Sequence, residues 1–145
     1  MTRIDFYILQ GGGPAAAQQL ACKLAAKAHQ EGTLYLHCAD RTQASLLDDL
    51  LWTFRPWGFI PHQLTETATP DPKPAESVVI GWQSPPAPLK DTLINLAATP
   101  PTGFARFTRL LEIVPAHHEA LQQSRKKWRH YQQRGHPLNA HKINP

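Results

Sequence analysis

The strongest candidate for chemistry in the sequence is a basic and aromatic run near the C-terminus, residues 122–131. At 3.6 residues per helical turn, Arg125, Trp128 and Arg129 fall on one face of a helix, together with Leu121. Guanidinium groups bind carboxylates or phosphates through paired hydrogen bonds, and an exposed indole offers apolar contact or base stacking. These residue types leave two binding functions open, for single-stranded nucleic acid or for an acidic peptide with an apolar anchor. A solvated helix whose Trp128 folds back onto the core is the structural alternative.

A run of three glycines, residues 11–13, precedes Pro14 between a predicted strand and a predicted helix, where many α/β proteins bind phosphate. The run lacks the Lys-Ser/Thr ending of a P-loop and the G-x-G-x-x-G spacing of a dinucleotide site. Pro14 also removes one backbone amide that would hold a phosphate. We therefore interpret the run as a tight turn, and a nucleotide-binding enzyme is the least favoured functional hypothesis.

The histidines and cysteines show no spacing typical of a metal site or of a nucleophilic enzyme. Cys22 and Cys38 stand sixteen positions apart, and the chain has no C-x-x-C or H-x-x-x-H pattern. It also has no G-x-S-x-G motif, and its glutamates do not form the kind of pair that acid–base catalysis uses. We predict two reduced, buried thiols, structural histidines, no metal, no cofactor and no enzymatic activity.

The positive charge of the chain is concentrated at its C-terminal end. The 145 residues carry a formal net charge of +4, from 15 Lys and Arg and 11 Asp and Glu. Residues 117–145 hold six of those basic residues and one acidic residue, so the other 116 residues have a net charge of −1. A negatively charged partner is therefore expected to bind at the C-terminal element.

Hydrophobic patterns predict strands and helices in alternation. The predicted strands are residues 4–9, 33–38, 77–82, 91–96 and 107–114, and the predicted helices are residues 15–30, 40–52 and about 117–134, with a surface loop at 65–77. In the second helix Leu46, Leu47, Leu50 and Leu51 are predicted to form the buried stripe. The alternation predicts one α/β domain over residues 1–145, with a mostly parallel central sheet flanked by helices.

No apolar run is long enough to span a membrane and the N-terminus has no signal layout, so we expect a cytoplasmic protein.

Several segments, taken in order, resemble one known family. These are residues 5–9, 20–25, 47–52, 59–64, 79–82, 91–96 and 114–115, and the pattern Arg125-x-x-Trp128-Arg129-x-Tyr131-x-x-x-Gly135-x-x-Leu138-Asn139. The chain resembles the chi subunit of bacterial DNA polymerase III holoenzyme. The resemblance implies a fold similar to nucleotide-binding domains but without a working phosphate loop. It also implies a non-catalytic subunit of the clamp-loader assembly, part of the bacterial replication machinery.

The resemblance implies two protein partners, with an indirect link to DNA. Members of the family bind the acidic C-terminal tail of single-stranded DNA-binding protein, which ends in Pro-Phe, and a small subunit called psi. The tail-binding positions fall on Val114, Arg125, Trp128 and Arg129, and the psi-binding region includes Phe59. Many relatives carry Tyr and Lys where this chain has Trp128 and Arg129, and these changes keep an aromatic ring beside a cation.

One neighbouring position departs from the family pattern, and one other function stays open. Gln132 stands where relatives can have a cation. Direct binding of single-stranded nucleic acid by the same basic helix is the alternative to tail binding.

Overall fold

This computed structural model describes residues 2–28, 30, 32–53, 62–64, 78–85 and 89–145, and these residues contain seven β-strands and three α-helices. In chain order the elements are β1 (Arg3–Leu9), α1 (Gly13–Ala28), β2 (Leu34–His37), α2 (Arg41–Thr53), β3 (His62–Leu64), β4 (Val78–Gly81), β5 (Thr92–Asn95), β6 (Arg109–Val114), α3 (His118–Gln133) and β7 (Leu138–Ile143). A turn of 3-10 helix, Phe104–Arg106, precedes β6.

The strands form one sheet in the order β3-β4-β2-β5-β6-β1-β7, and each of these pairings is parallel. The predicted α/β class with a parallel central sheet is therefore confirmed. Parallel strands of one sheet need crossover connections, and α3 supplies the one from β6 to β7, which lie on either side of β1. Within the described chain, β7 pairs with β1 alone and forms one edge of the sheet.

The sheet separates two hydrophobic cores. Side chains alternate between the faces of a strand, so Leu111 and Ile113 of β6 join the core under α1 and α2. Leu110 and Val114 of the same strand join the core under α3. Consequently α3 is the only α-helix of the described chain on its face of the sheet, and β1 and β7 lie beside it.

The eight predicted elements are all present, and their ends differ from the prediction by up to two residues. Asp40 caps the start of α2, because its Oδ1 accepts a hydrogen bond from the Gln43 amide at 2.8 Å. Gly135, with φ of 79°, follows the end of α3. The strands β3 and β7 were not predicted. The predicted loop at 65–77 lies outside the described residues.

One leucine of α2 was wrongly predicted to be buried. Leu47 and Leu51 are 0% and 2% exposed, whereas Leu46 is 40% exposed. Leu47 and Leu51 are one helical turn apart on the same face, and Leu46 lies about 100° around the helix from Leu47.

In the described chain, no helix is both long enough and apolar enough to cross a membrane.

The glycine turn between β1 and α1 packs closely against other parts of the chain. Gly12 has a φ of 89°, a backbone conformation that residues with a Cβ atom rarely adopt. A Cβ at Gly12 would lie 2.6 Å from the Cβ of Ala16 and 2.8 Å from that of Pro145. The close approach of Pro145 and the positive φ give this glycine a structural role.

Candidate functional site

Helix α3 is fixed to the sheet by a buried ion pair. The buried side chains of the helix recur at helical spacing and are Ala120, Ser124, Lys127 and Tyr131. Lys127 Nζ lies 2.7 Å from Glu112 Oε1 of β6, and the two side chains are 5% and 0% exposed. Lys127 Nζ also donates to the carbonyl oxygen of Ala97 at 3.0 Å. These contacts set the rotation of α3 about its axis.

Glu112 is surrounded by donors, and a buried carboxylate needs such partners to remain charged. Asn95 Nδ2 lies 3.1 Å from Oε1 and 2.9 Å from Oε2 of Glu112. The hydroxyl of Tyr131 donates to Oε2. Burial, and then the charge of Glu112 and this hydrogen bond, raise the pKa of Tyr131, so the phenol keeps its proton.

Asn95 connects His37 of β2 to these residues. Asn95 Oδ1 accepts the Ala97 amide at 3.0 Å and lies 2.9 Å from His37 Nδ1. Because an amide oxygen can only accept, His37 must donate from Nδ1. Burial lowers the pKa of His37, although the Asn95 bond and the Glu112 charge act in the opposite direction. We call His37, Asn95, Glu112, Lys127 and Tyr131 the inner cluster.

A groove runs along the other side of α3, between the helix and strands β1 and β7. It encloses about 430 Å³ and is lined by Phe6, Ile8, Leu121, Ser124, Arg125, Trp128, Arg129 and Ala140. The ring centroids of Phe6 and Trp128 are 5.1 Å apart, with their planes tilted by 55°. Trp128 is half-buried, so part of its ring faces the groove. We call this site the α3 groove.

Two cations border the α3 groove and have no acidic partner among the described residues. Arg125 and Arg129 are exposed, and no carboxylate of the described chain lies within 4.0 Å of either guanidinium. Unpaired guanidinium groups can bind carboxylates or phosphates, and the floor of Phe6 and Ile8 can hold an apolar group. The groove therefore has the chemistry to bind a negatively charged ligand with an apolar end.

The structure brings three of the four predicted tail-binding residues together and places the fourth differently. Arg125, Trp128 and Arg129 line the α3 groove, as the helical spacing predicts. Val114 is 2% exposed and lies beneath α3, next to Ile8 in the register of β6 and β1. It lines a separate cavity of about 300 Å³ at the start of α3. Phe59, the predicted psi-binding residue, lies outside the described residues.

The strand side of the groove could not be predicted from the sequence. Phe6 and Ile8 alternate along a strand that was predicted, but nothing in the sequence showed that α3 would cover them. Ala140 belongs to β7, which was not predicted. The register of β7 on β1 places Ala140 beside Phe6 and Lys142 beside Ile8.

A second polar contact holds β7 to β1 on the face away from α3. Asp5 is 1% exposed, and its Oδ1 lies 3.1 Å from His141 Nε2 of β7. The His141 ring also stacks on Tyr7, with centroids 5.0 Å apart. These contacts link β7 to its neighbour and support the second wall of the groove.

The described residues contain no cluster of potential metal ligands, and both of their cysteines are buried. No group of three or more His, Cys, Asp or Glu in that part of the chain could hold a metal ion. Cys22 and Cys38 are free and buried, as predicted. Burial raises the pKa of the Cys22 thiol to about 11 and that of Cys38 to about 12, so both are protonated near neutral pH.

Comparison with known proteins gives one consistent result. The family model described as "DNA polymerase III chi subunit, HolC" matches residues 1–139. The chain is similar to the DNA polymerase III subunit chi of Pseudomonas aeruginosa, with 42% identity over 144 residues, 99% of this chain and 98% of the relative. It is 30% identical to the proteins of the same name from Haemophilus influenzae and Escherichia coli, over 140 and 145 residues. Both alignments cover 96% of this chain, and they cover 96% and 97% of the two relatives.

Proposed function

Because the chain belongs to the family of DNA polymerase III chi subunits, accessory subunits of the replication machinery, we propose that its α3 groove binds the acidic C-terminal tail of single-stranded DNA-binding protein. The proposed role is non-catalytic. The tail contact would hold the polymerase assembly on DNA coated with that protein. A modest affinity suffices, since many tails on one strand raise the effective concentration.

The observation that carries this proposal is the combination of an apolar floor with unpaired cations in one groove. A tail that is acidic and ends in Pro-Phe presents carboxylates and one phenyl ring. Arg125 and Arg129 would bind the carboxylates, and Trp128 with Phe6 would contact the phenyl ring. Single-stranded nucleic acid could use the same cations for its phosphates and stack a base on Trp128, so the experiment below includes an oligonucleotide.

The expected energies agree with a modest affinity. Burying a phenyl group gains about 1.5–3 kcal/mol, and each charge-assisted hydrogen bond gains about 1.5–3 kcal/mol before desolvation is counted. Micromolar binding requires roughly 8 kcal/mol. One phenyl and several such bonds can supply that value after the cost of association is subtracted.

We further propose that the chain contacts a psi subunit and through it the clamp loader. This part rests on family membership and on the expected role of Phe59, which lies outside the described residues. A pull-down of purified psi from the same organism by the chain, with Phe59→Ala as the variant, tests it separately from the tail contact.

Calorimetric titration with two peptides tests the tail proposal. The first peptide is acidic and ends in Pro-Phe, and the second lacks the final Phe. We expect micromolar binding of the first peptide and loss of binding without the Phe. Trp128→Ala and Arg129→Ala should each weaken binding at least tenfold, in the range of an interface hot spot.

Leu46→Ala is the matched control, since Leu46 is an exposed apolar residue on α2, on the opposite face of the sheet. It should leave peptide affinity unchanged. Circular dichroism of each variant shows whether the domain is still folded. Absence of binding to either peptide, with tight and strongly salt-dependent binding of a single-stranded oligonucleotide, would replace this proposal with the nucleic-acid alternative.

A further inference from the structure

Strand β7 carries a cation next to the α3 groove, on the face of the sheet that α3 covers. Its residues alternate between the two faces of the sheet, as strands require. Leu138 packs into the core under α3, Ala140 lines the groove, and Ile143 packs into the opposite core. Lys142 therefore lies on the groove side, two residues beyond Ala140.

The register of the strands places Lys142 opposite Arg125. Lys142 is the neighbour of Ile8, as Ala140 is the neighbour of Phe6. Trp128 contacts Phe6, and α3 runs antiparallel to the strands because it connects two parallel ones. Arg125 precedes Trp128 by almost one helical turn, about 4.5 Å, toward the carboxyl end of the sheet.

Lys142 follows Ala140 toward the same end by two strand residues, about 6.6 Å. Arg125 on the helix and Lys142 on the strand therefore lie on opposite sides of the groove, at a similar height along the strands. Trp128 and Phe6 lie together nearer the amino ends of the strands.

No acidic group of the described chain neutralises Lys142. The side chain is exposed, and no carboxylate lies within 4.0 Å of it in that part of the molecule. The acidic residue of β1, Asp5, faces the opposite side of the sheet with His141. The buried Glu112 is already paired with Lys127.

We propose that Lys142 is a further binding residue of the α3 groove and selects for acidic residues upstream of the aromatic end of the peptide. The inference rests on the proposed function and adds the path of the ligand. The apolar end lies at Trp128, and the acidic segment before it passes between Arg125 and Lys142. The strand wall then contributes charge recognition, and the helix contributes both charge and apolar contact.

An exposed lysine on an edge strand also has a structural explanation, because such charges prevent sheets from pairing edge to edge. The two explanations differ in what they predict for binding. A residue that only protects the edge should not respond to the charge of the peptide, and its loss should promote self-association.

The test is a calorimetric titration of the full chain with a peptide of three aspartates followed by Pro-Phe, and with the same peptide carrying three asparagines. We expect Lys142→Gln to weaken binding of the aspartate peptide about three- to fivefold at low salt, as for an exposed charge pair. Binding of the asparagine peptide should not change. Lys142→Arg should restore the affinity for the aspartate peptide.

Lys126→Gln is the control, since Lys126 is an exposed cation of α3 that lies about 160° around the helix from Trp128, away from the groove. A Lys142→Gln variant that binds the aspartate peptide as tightly as the unmodified chain overturns the inference but not the proposed function. The same result with new dimers in size-exclusion chromatography assigns Lys142 to edge protection. If the unmodified chain binds neither peptide, the proposed function itself fails.

Discussion

Lys127 and Arg129 are two positions apart on α3, and they have opposite environments. Lys127 is 5% exposed and forms an ion pair with the fully buried Glu112. Arg129 is exposed beside the α3 groove, with no carboxylate of the described chain in reach. One helix thus presents a neutralised cation to the core and unpaired cations to solvent.

The difference shows how a single basic helix can serve stability and binding separately. A buried ion pair costs desolvation energy and rarely adds net stability compared with apolar packing, but the loss of one partner is expensive. Such a pair therefore favours one orientation of the helix strongly. That orientation directs Arg125, Trp128 and Arg129 toward the groove. We expect changes at the inner cluster to alter stability and changes at the groove to alter affinity.

The largest effect is expected from removing the buried cation. Lys127→Ala should lower the free energy of unfolding by about 3–5 kcal/mol, because Glu112 is left as an unpaired buried charge. Lys126→Ala changes an exposed cation next to it and should cost less than about 0.5 kcal/mol. Urea unfolding followed by circular dichroism measures both. Similar small losses for the two variants would contradict the distinction between the two faces.

Tyr131→Phe tests the inner cluster without changing charge. The hydroxyl donates to Glu112, and loss of a hydrogen bond to a charged group costs about 1.5–3 kcal/mol. Tyr35→Phe is the matched control, since the Tyr35 hydroxyl donates to the neutral carbonyl of Gln83 at 2.9 Å and should cost about 0.5–1.5 kcal/mol. Neither variant should change peptide affinity. A loss of affinity in Tyr131→Phe comparable to that of Trp128→Ala would show that the inner cluster also contributes to binding in the α3 groove.

Arg129→Lys tests the groove face while keeping the charge. Lysine cannot form the paired hydrogen bonds of a guanidinium, so we expect a loss of about 0.5–1 kcal/mol in peptide binding. The free energy of unfolding should stay unchanged within about 0.5 kcal/mol. Arg134→Lys, at the exposed end of α3, is the control and should bind the peptide normally. No loss of affinity in Arg129→Lys would indicate that the charge alone contributes to binding, and equal losses in both variants would show that the effect is not specific to the groove.

The helix side of the groove could be predicted from the sequence, and the strand side could not. Helical spacing places Arg125, Trp128 and Arg129 on one face, and this local rule holds in the structure. The role of Lys127 follows from Glu112, fifteen residues earlier in another element, so no local pattern separates Lys127 from Lys126. The partner of a charged side chain is a tertiary property.

The strand β7 was missed for a related reason. Four of its six residues are exposed, so it lacks the hydrophobic alternation that signals a strand. It forms because its backbone pairs with β1 in parallel, and Asp5 and Tyr7 hold His141 from the neighbouring strand. Prediction of β7 would have required its register on β1, whose paired residues are 134 positions earlier in the chain.

The smallest expected effect is a pH dependence that belongs to the inner cluster alone. The ring of His37 donates to Asn95 and faces the charges of Glu112 and Lys127, and its pKa is lowered by burial. The folded chain therefore binds a proton at His37 less readily than the unfolded chain does. This contribution to stability is complete above the ordinary pKa of 6.5 and is lost as the pH falls below that value.

His37→Asn keeps a donor near Asn95 but cannot titrate, so it should remove part of the stability loss between pH 7 and pH 5. His118→Asn, at the exposed start of α3, should retain that loss. The measurement is the free energy of unfolding at pH 7, 6 and 5 for the three proteins. If His37→Asn and the unmodified chain lose stability equally, the acid sensitivity lies outside the inner cluster. In that case the cluster acts through its fixed ion pair and hydrogen bonds alone.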